Sequence, residues 1–321
     1  IMAAMMEMDC WKGDWGLPSV DRDCLKVMAY AQFAGAPIKV HRDRRLWRNV
    51  SAHYPVFYSD GRTLKSADSI IEHLKQNQFD ADSELNDQQR ADILAYSSLL
   101  EEKLLPALQY TWWVDAKNYT EFSRPWFAKT MHFPFNYFIP GQLQRTAESS
   151  LEVRRGGLHL LDGELSQNVM KDARYCLNML SERLGEKEFF FGESPTSLDA
   201  LVFSYLAPLV RVPFPSNTLQ VHCKACENLV MFCSRILQRY FPQDPQEPQQ
   251  TTSKESQATS EEVFDDPHKT RNQILSVLFA ATAMVGYALF SGMVQFEIVD
   301  DDEMDDHGMM DDEGEDYQAQ E

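Results

Sequence analysis

Short apolar runs alternate with helical spacing over the first 80 residues. The runs predict strands at Met6–Trp11, Ile38–Val40, Pro55–Tyr58 and Arg62–Leu64. Apolar residues three and four apart predict a helix that begins at Ser19, after the first strand, and another that begins at Ser66, after the last. The predicted order is therefore βαβ followed by ββα.

From about residue 85 to residue 242 the apolar spacing is helical throughout. A long helix is predicted from Asp87, and Pro106 is expected to kink or end it. Further helices are predicted over 165–184 and, as a last amphipathic helix, over 219–240. We call residues 1–242 the body, and its second half is therefore predicted to be all-helical.

One of these helices has a clear start signal. Thr196-Ser-Leu-Asp199 has the spacing of a capping box. In this motif the side chain of each end residue accepts a hydrogen bond from the backbone N–H of the other. Residues 200–210 follow and are apolar on nearly every side. We therefore expect this helix to lie at the centre of the helical domain.

Aromatic residues are concentrated between residues 112 and 138, where prolines exclude one regular helix. The rings either fill the core of the helical domain or lie near the surface, where aromatic side chains commonly anchor a partner protein. Both alternatives are open. The candidate partner contacts are Trp112, Trp113, Trp126, Phe135 and Phe138.

The pattern changes again after residue 242. Residues 243–271 are rich in Gln, Pro, Ser, Thr and Glu and predict a disordered linker. Residues 272–296 contain no Lys, Arg, Asp, Glu or His, and as a helix they are long enough to cross about 30 Å of hydrocarbon. The alternative is a buried core helix, but such helices rarely lack charge on every face. We predict a single C-terminal transmembrane helix, with Ile274, Leu278, Val285, Leu289 and Val294 among the residues of this membrane anchor.

Small residues four apart recur within this segment, in the pairs Thr282–Gly286 and Ala288–Gly292. Such pairs let another helix approach closely in a membrane, although they are also frequent by chance. They are candidate helix-packing positions.

The formal net charge of −19 is unevenly distributed. Residues 297–321 hold thirteen acidic residues and no Lys or Arg, and the rest of the chain has a net charge of −6. This gives no support for nucleic-acid binding. The acidic tail is predicted to be disordered, either simply solvated or docked on a basic partner.

Six scattered cysteines are too few for a disulfide scaffold and fit a reducing compartment. The N-terminal residues show no secretory signal. We therefore expect a body made in the cytosol and inserted into a membrane through its C-terminal segment.

The predicted order resembles the glutathione S-transferase architecture, which is α+β with an all-α second part. In that resemblance residues 1–80 form a thioredoxin-like domain and residues 81–242 an all-helical domain. Pro55 would be the cis-proline before the third strand, and Ser66 would start the last helix of the thioredoxin-like domain.

Several motifs resemble a narrower family, the metaxins. They are Cys10-Trp-Lys-Gly-Asp-Trp-Gly-Leu-Pro-Ser-Val20, Gly35-Ala-Pro37, Leu99-Leu-Glu-Glu-Lys-Leu-Leu-Pro106, Lys117-Asn-Tyr119, Phe189-Phe-Phe-Gly192 and Ser197-Leu-Asp-Ala200. The runs Arg271–Leu278 and Met284–Leu289 resemble the tail-anchored member of the family.

The metaxin resemblance implies a mitochondrial outer-membrane protein whose body faces the cytosol. It implies a non-enzymatic role in protein import, with the sorting and assembly machinery that inserts β-barrel proteins. The implied partners are a second metaxin without an anchor, a β-barrel assembly subunit, mitochondrial precursor proteins and the lipid bilayer. A generic tail-anchored scaffold of the endoplasmic reticulum is a weaker alternative.

The main alternative is a membrane-anchored, glutathione-dependent transferase. Such an enzyme activates the thiolate of glutathione with a Tyr, Ser or Cys near the end of the first strand. Cys10 lies there and Ser19 opens the following helix, but no base or cation is evident beside Cys10. The enzyme also needs a Gln/Glu-Ser pair for the amino end of glutathione, and this chain has Lys65-Ser66. We therefore assign no catalytic or cofactor-binding residue.

A cluster around His222, Cys223, Cys226 and Cys233 raises the possibility of a metal or redox site. A structural zinc site needs four ligands, usually from two such pairs, and one pair is present. The spacing places the three cysteines near one face of the predicted last helix, so packing is the better interpretation. We assign no metal-binding residue.

Overall fold

The computed structural model describes residues 6–42, 54–131, 135–154 and 162–242, and the single positions 277, 279, 282 and 284. Within these residues the apolar runs of the N-terminal part form one sheet, in the order β2-β1-β3-β4. Its strands are β1 (Met6–Asp9), β2 (Ile38–His41), β3 (Val56–Ser59) and β4 (Arg62–Leu64). β1 runs parallel to β2 and antiparallel to β3.

Two helices complete this part: α1 (Arg22–Phe33) between β1 and β2, and α2 (Ala67–Gln76) after β4. The predicted βαβ and ββα order is thereby confirmed. A cis peptide bond precedes Pro55, as the resemblance implied. β3 and β4 meet in a tight turn whose central residues, Asp60 and Gly61, both have positive φ.

The prediction that α1 begins at Ser19 is wrong. The N-cap is Asp21, whose carboxylate accepts a hydrogen bond from the Cys24 N–H at 2.8 Å. Ser19 is fully buried, and its hydroxyl accepts from the Asp21 N–H at 3.3 Å. Ser19 and Asp21 are both residue types that favour the N-cap position, and Asp21 occupies it.

The helical part follows without an intervening strand in the described residues. Its α-helices are α3 (Asp87–Leu99), α4 (Leu105–Gln109), α5 (Ala116–Asn118), α6 (Arg124–Thr130), α7 (Phe135–Arg154), α8 (Asp162–Leu184), α9 (Ser197–Arg211), α10 (Thr218–Ala225) and α11 (Glu227–Tyr240). π-Helical segments lie at Leu100–Leu104, Tyr110–Val114 and Tyr119–Ser123.

The first π-helical segment has a cause in the sequence. Pro106 has no N–H to donate to the carbonyl one turn earlier, so the α-helical ladder cannot continue through it. The Leu105 N–H instead donates to the Leu100 carbonyl, five residues back. The predicted kink therefore takes the form of a wider turn before Pro106.

The prediction of one helix over 219–240 is wrong, because α10 ends at Ala225 and α11 begins at Glu227. Asn228 explains the break. Its side-chain amide donates to the Ser181 carbonyl at 2.8 Å, and its side-chain oxygen accepts from the Ser181 hydroxyl at 2.7 Å. These bonds fasten the first turn of α11 to α8 and replace the continuation of α10.

The capping box predicted before α9 is present. The Asp199 carboxylate accepts from both the N–H and the hydroxyl of Thr196 at 2.8 Å, and also from the Phe190 N–H at 2.9 Å. Residues 198–209 are buried. α9 is thus the central helix of the helical part, as predicted.

The chain divides into two compact units, residues 1–249 and residues 250–321. The sheet and the helices α1 to α11 belong to the first. In the second, Val277, Phe279, Thr282 and Met284 are helical and exposed.

Within the described residues, no helix has both the length and the apolar character to span a membrane. The other residues of the predicted linker, membrane segment and acidic tail lie outside the described residues, as do Ile274, Leu278, Val285, Gly286, Ala288, Leu289, Gly292 and Val294. The transmembrane helix and its packing positions remain predictions.

Candidate functional site

The carboxyl end of β1 is where a transferase-like fold would activate a thiol, and a loop over residues 10–20 follows it. The loop is tightly folded: Trp15 and Gly16 have φ of 52° and 79°. Gly13 packs so closely that a Cβ there would lie 2.1 Å from the Leu17 carbonyl oxygen. The loop therefore holds Trp11 and Trp15 in fixed positions.

These two indole rings contact the helical part. Trp11 is buried between Tyr54 and Phe127, with ring centroids 5.4 Å and 5.3 Å away. Aromatic pairs at this separation stabilise each other beyond the area that they bury. Trp11 thus joins the end of β1 and the residue before the cis-proline to helix α6.

Trp15 makes a second connection. Its ring centroid lies 5.2 Å from that of Phe122 and 5.3 Å from that of Trp126. The Trp126 indole N–H donates to the Asp14 carboxylate at 2.8 Å. We call these residues the ring cluster: Trp11, Trp15, Tyr54, Phe122, Trp126 and Phe127. It occupies the side of the loop that faces the helical part.

The predicted partner-contact aromatics occupy different environments. Trp112 is buried against Phe214, with ring centroids 4.9 Å apart, so it belongs to the core. Trp113, Trp126 and Phe135 are half-buried. Phe138 is 70% exposed. A role in partner contact remains a prediction for the set, and burial counts against it at Trp112.

Cys10 does not lie in a site that would generate a thiolate. It is buried, close to the buried thiol of Cys24. Burial raises the pKa of the Cys24 thiol well above its ordinary value, and Cys10 and the Asp21 carboxylate raise it further. A reactive thiolate needs an electropositive, partly exposed environment, which this pair lacks.

Asp9, which sequence reasoning missed, is a buried carboxylate at the end of β1. Its Oδ2 accepts from the Tyr58 hydroxyl at 3.3 Å, and its Oδ1 has no hydrogen-bond partner. The position beside a strand end carries no sequence signal beyond the residue type.

Lys65 and Ser66 are both exposed just before α2. Ser66 takes the N-cap position, as predicted, although its side chain makes no capping bond. A lysine here places positive charge where a transferase would bind the ammonium end of glutathione. The charge is the wrong sign for that role.

The second cysteine cluster is also unsuited to chemistry. Cys223 and Cys233 are buried, and burial raises the pKa of Cys223 to about 12. Cys226 lies at the break before α11, outside any helix, contrary to the prediction. Among the described residues, no group of three or more His, Cys, Asp and Glu side chains is arranged to hold a metal.

An open cleft of about 480 Å³ lies in the helical part, between α8 and the start of α10. Its lining includes Asn118, Lys171 and Arg174, and every lining residue follows Gln109 in the chain. No residue of the loop over residues 10–20 lines it.

Comparison with known proteins decides the family. A family model described as an outer mitochondrial membrane transport complex protein matches residues 24–144, and one for the glutathione S-transferase C-terminal domain matches residues 173–236. Metaxin-1 of Macaca fascicularis is 47% identical over 302 residues, which cover 92% of this chain and 93% of that protein. The chain belongs to the metaxin family.

Other relatives agree. Metaxin-1 of Mus musculus is 46% identical over 92% of this chain and 93% of that protein. Metaxin-3 of Danio rerio is 46% identical over 75% of this chain and 77% of that protein. Both support the family that the motifs around Cys10 and Ser197 resembled.

Among solved structures, a glutathione S-transferase of Ceriporiopsis subvermispora, in complex with glutathione, has a TM-score of 0.50 and 14% identity. The match covers 75% of this chain and 99% of the transferase. At this identity the likeness shows the fold alone. This metaxin therefore has a transferase-like fold, confirming the predicted body architecture.

Proposed function

We propose that this metaxin is a non-enzymatic subunit of the protein import machinery of the mitochondrial outer membrane. Its body acts from the cytosolic face, where it binds partner subunits or β-barrel precursors and helps their insertion. A second metaxin without an anchor and a β-barrel assembly subunit are the proposed partners.

The relationship to metaxin-1 over 92% of the chain carries this proposal. The family model over residues 24–144 supports it, because its description is that of an outer mitochondrial membrane transport complex protein. The proposed location follows from the same matches.

The loop after β1 supports the non-enzymatic part. The ring cluster occupies its side towards the helices, Cys10 is buried beside a protonated thiol, and Lys65 has the wrong charge for the ammonium group of glutathione. The two features considered, an activated group at the end of β1 and a site for the ammonium end of glutathione, therefore do not fit a glutathione-dependent transferase. This argues against the alternative function that the fold suggests.

We further propose that residues 272–296 form the single membrane anchor. The support is the sequence itself, which has no charged side chain over 25 positions. Lys269 and Arg271 before the segment favour leaving the body on the cytosolic side. Gly286→Leu and Gly292→Leu should weaken co-purification of partners while the chain stays in the membrane.

Crosslinking in intact mitochondria tests the proposal. The full chain carries an affinity tag, and crosslinked proteins are identified by mass spectrometry. We expect the second metaxin and a β-barrel assembly subunit. Recovery of no import component would contradict the proposed function.

A complementation experiment separates adaptor from enzyme. Mitochondria depleted of this protein receive either the wild-type chain or Cys10→Ala, and β-barrel assembly is measured with a radiolabelled precursor. An adaptor predicts full rescue by both chains. Loss of rescue with Cys10→Ala, together with saturable glutathione binding by the purified wild type, would favour the transferase instead.

A further inference from the structure

The stretch from Phe122 to Ala147 differs in charge from the rest of this acidic chain. It contains Arg124, Lys129 and Arg145 and no Asp or Glu, whereas the whole sequence has 49 acidic residues against 30 Lys and Arg. The stretch therefore carries a net positive charge of its own, although the Asp14 carboxylate bonds to Trp126 and Glu121 and Glu148 flank the stretch.

The same stretch exposes large aromatic side chains. Tyr137 and Phe138, in the first turn of α7, are 69% and 70% exposed. Aromatic side chains are enriched at interaction sites, and these two rings are open to solvent. Other rings of the stretch, such as Phe127, are buried, so the exposure at α7 is a property of that helix face.

Helical geometry brings the two features together on α7. Phe138 and Arg145 are seven residues apart, which is two turns, and Gln142 lies between them on the same face. All three are exposed. Arg124 and Lys129 lie on α6, which leads into α7, and both are exposed.

The cations are available for a partner. Within the described part of the chain, Arg124, Lys129 and Arg145 form no ion pair, whereas other basic residues such as Lys103 and Arg183 do. Because these side chains have no ion pair within the protein, none has to be broken before they bind an anionic group.

We propose that this basic-aromatic surface, made of Arg124, Lys129, Tyr137, Phe138 and Arg145, binds the surface of a membrane that contains anionic phospholipids. Aromatic rings favour the headgroup level of a bilayer, and Lys and Arg are attracted by anionic lipid. A membrane surface receives both features at once, because its interface takes up aromatic rings and its anionic headgroups attract the unpaired cations. An acidic protein that binds the rings is the alternative that the test distinguishes.

The inference rests in part on the proposed anchor, which would keep the body near a bilayer. It does not follow from the anchor, because a disordered linker over residues 243–271 would span about 30 Å and leave every face of the body free to point outwards. Contact by one particular face is therefore a separate property.

The test uses the purified full chain in nanodiscs that contain either phosphatidylcholine alone or phosphatidylcholine with cardiolipin. Cys226, the half-buried cysteine, is replaced by serine, and Phe138→Cys is labelled with an environment-sensitive fluorophore. Leu94→Cys is the matched control, because Leu94 is 71% exposed on α3. Lipids with a quencher in the upper acyl chain report contact.

We expect quenching at position 138 and not at position 94, with a blue shift that is stronger in the anionic nanodiscs. Replacing the three cations by Arg124→Gln, Lys129→Gln and Arg145→Gln should remove most of the dependence on anionic lipid, which is worth about fivefold for each cation. Equal quenching at both positions, or none at position 138, would overturn the proposal.

The nanodisc experiment does not test the proposed import function, because the nanodiscs contain no partner protein. Either proposal can therefore fail without the other. Retention of the chain in the nanodisc reports the anchor by itself. If position 138 is protected in intact mitochondria but not in nanodiscs, the surface binds a protein and the lipid proposal is wrong.

Discussion

Replacement of Asp199 should strongly destabilise the body. The carboxylate is fully buried and accepts three hydrogen bonds, two from Thr196 and one from the Phe190 N–H. Asp199→Ala leaves these donors without an acceptor in the core. At roughly 1–3 kcal/mol for each buried unsatisfied group, and with some relaxation, we expect a loss of about 3–5 kcal/mol.

The pH dependence of the same residue has a definite sign. Burial raises the pKa of Asp199 from 3.8 to about 6, although the Phe190 and Thr196 hydrogen bonds act to lower it. Because the folded state binds the proton more tightly, this carboxyl stabilises the fold fully below the unfolded pKa, and the contribution is lost as pH rises through about 6. Between about pH 5 and about pH 7.5 the loss amounts to about 1 kcal/mol.

Urea unfolding of the full chain in detergent, followed by tryptophan fluorescence, measures both effects. Asp199→Asn keeps the volume and one acceptor but cannot ionise, so its free energy of unfolding should change less with pH than that of the wild type. Some pH dependence of the same sign should remain, because burial also raises the pKa of Asp21 to about 6. An unchanged pH dependence in Asp199→Asn would refute the assignment.

Two further predictions concern the loop after β1. Trp126→Phe and Asp14→Ala each remove the indole–carboxylate hydrogen bond of 2.8 Å and should cost about 1 kcal/mol, and the double variant should cost less than the sum, as a double-mutant cycle on thermal unfolding would reveal. Gly13→Ala would place a Cβ 2.1 Å from the Leu17 carbonyl oxygen and should destabilise by roughly 2–4 kcal/mol. Gly141→Ala, where a Cβ meets nothing within 4 Å, should be neutral or stabilising by up to about 1 kcal/mol, and a loss there equal to that at Gly13 would contradict the steric argument.

The elements with local signals could be predicted from the sequence. The short apolar runs, the turn at Asp60–Gly61 and the capping box at Thr196–Asp199 all appear where the pattern indicated. Each depends on residues within a few positions of one another. The cis bond before Pro55 came from the family resemblance and could not have come from the pattern.

The two wrong predictions concern helix ends that are determined by contacts between residues far apart in the sequence. Neither Gly nor Pro interrupts the run 219–240, yet the bonds of Asn228 to Ser181 of α8 divide it into two helices. In α1 the choice between Ser19 and Asp21 as N-cap depends on the burial of Ser19 under the rest of the fold. The spacing of apolar residues along the chain reveals neither the Asn228–Ser181 bonds nor the burial of Ser19.

The site was predicted only in part for the same reason. The motif around Cys10 was evident, but the contact between Trp15 and Phe122, more than 100 positions later, was not. The burial of Trp112 and the exposure of Phe138 likewise depend on tertiary packing. The absence of acidic residues from Phe122 to Ala147, in contrast, is visible in the sequence and could have separated these rings from an ordinary core.

The segment from Phe122 to Ala147 links the loop after β1 to the proposed membrane-binding surface. Phe122 and Trp126 hold the segment against the loop after β1, while Tyr137 and Phe138 expose its other end. The ring cluster thus holds α6 against the loop after β1, and α6 packs against α7. If the ring cluster orients the basic-aromatic surface, Trp126→Ala should reduce lipid quenching at position 138 even though Trp126 lies outside that surface. On this argument the ring cluster supports the proposed binding surface, because it holds α6 and α6 packs against α7.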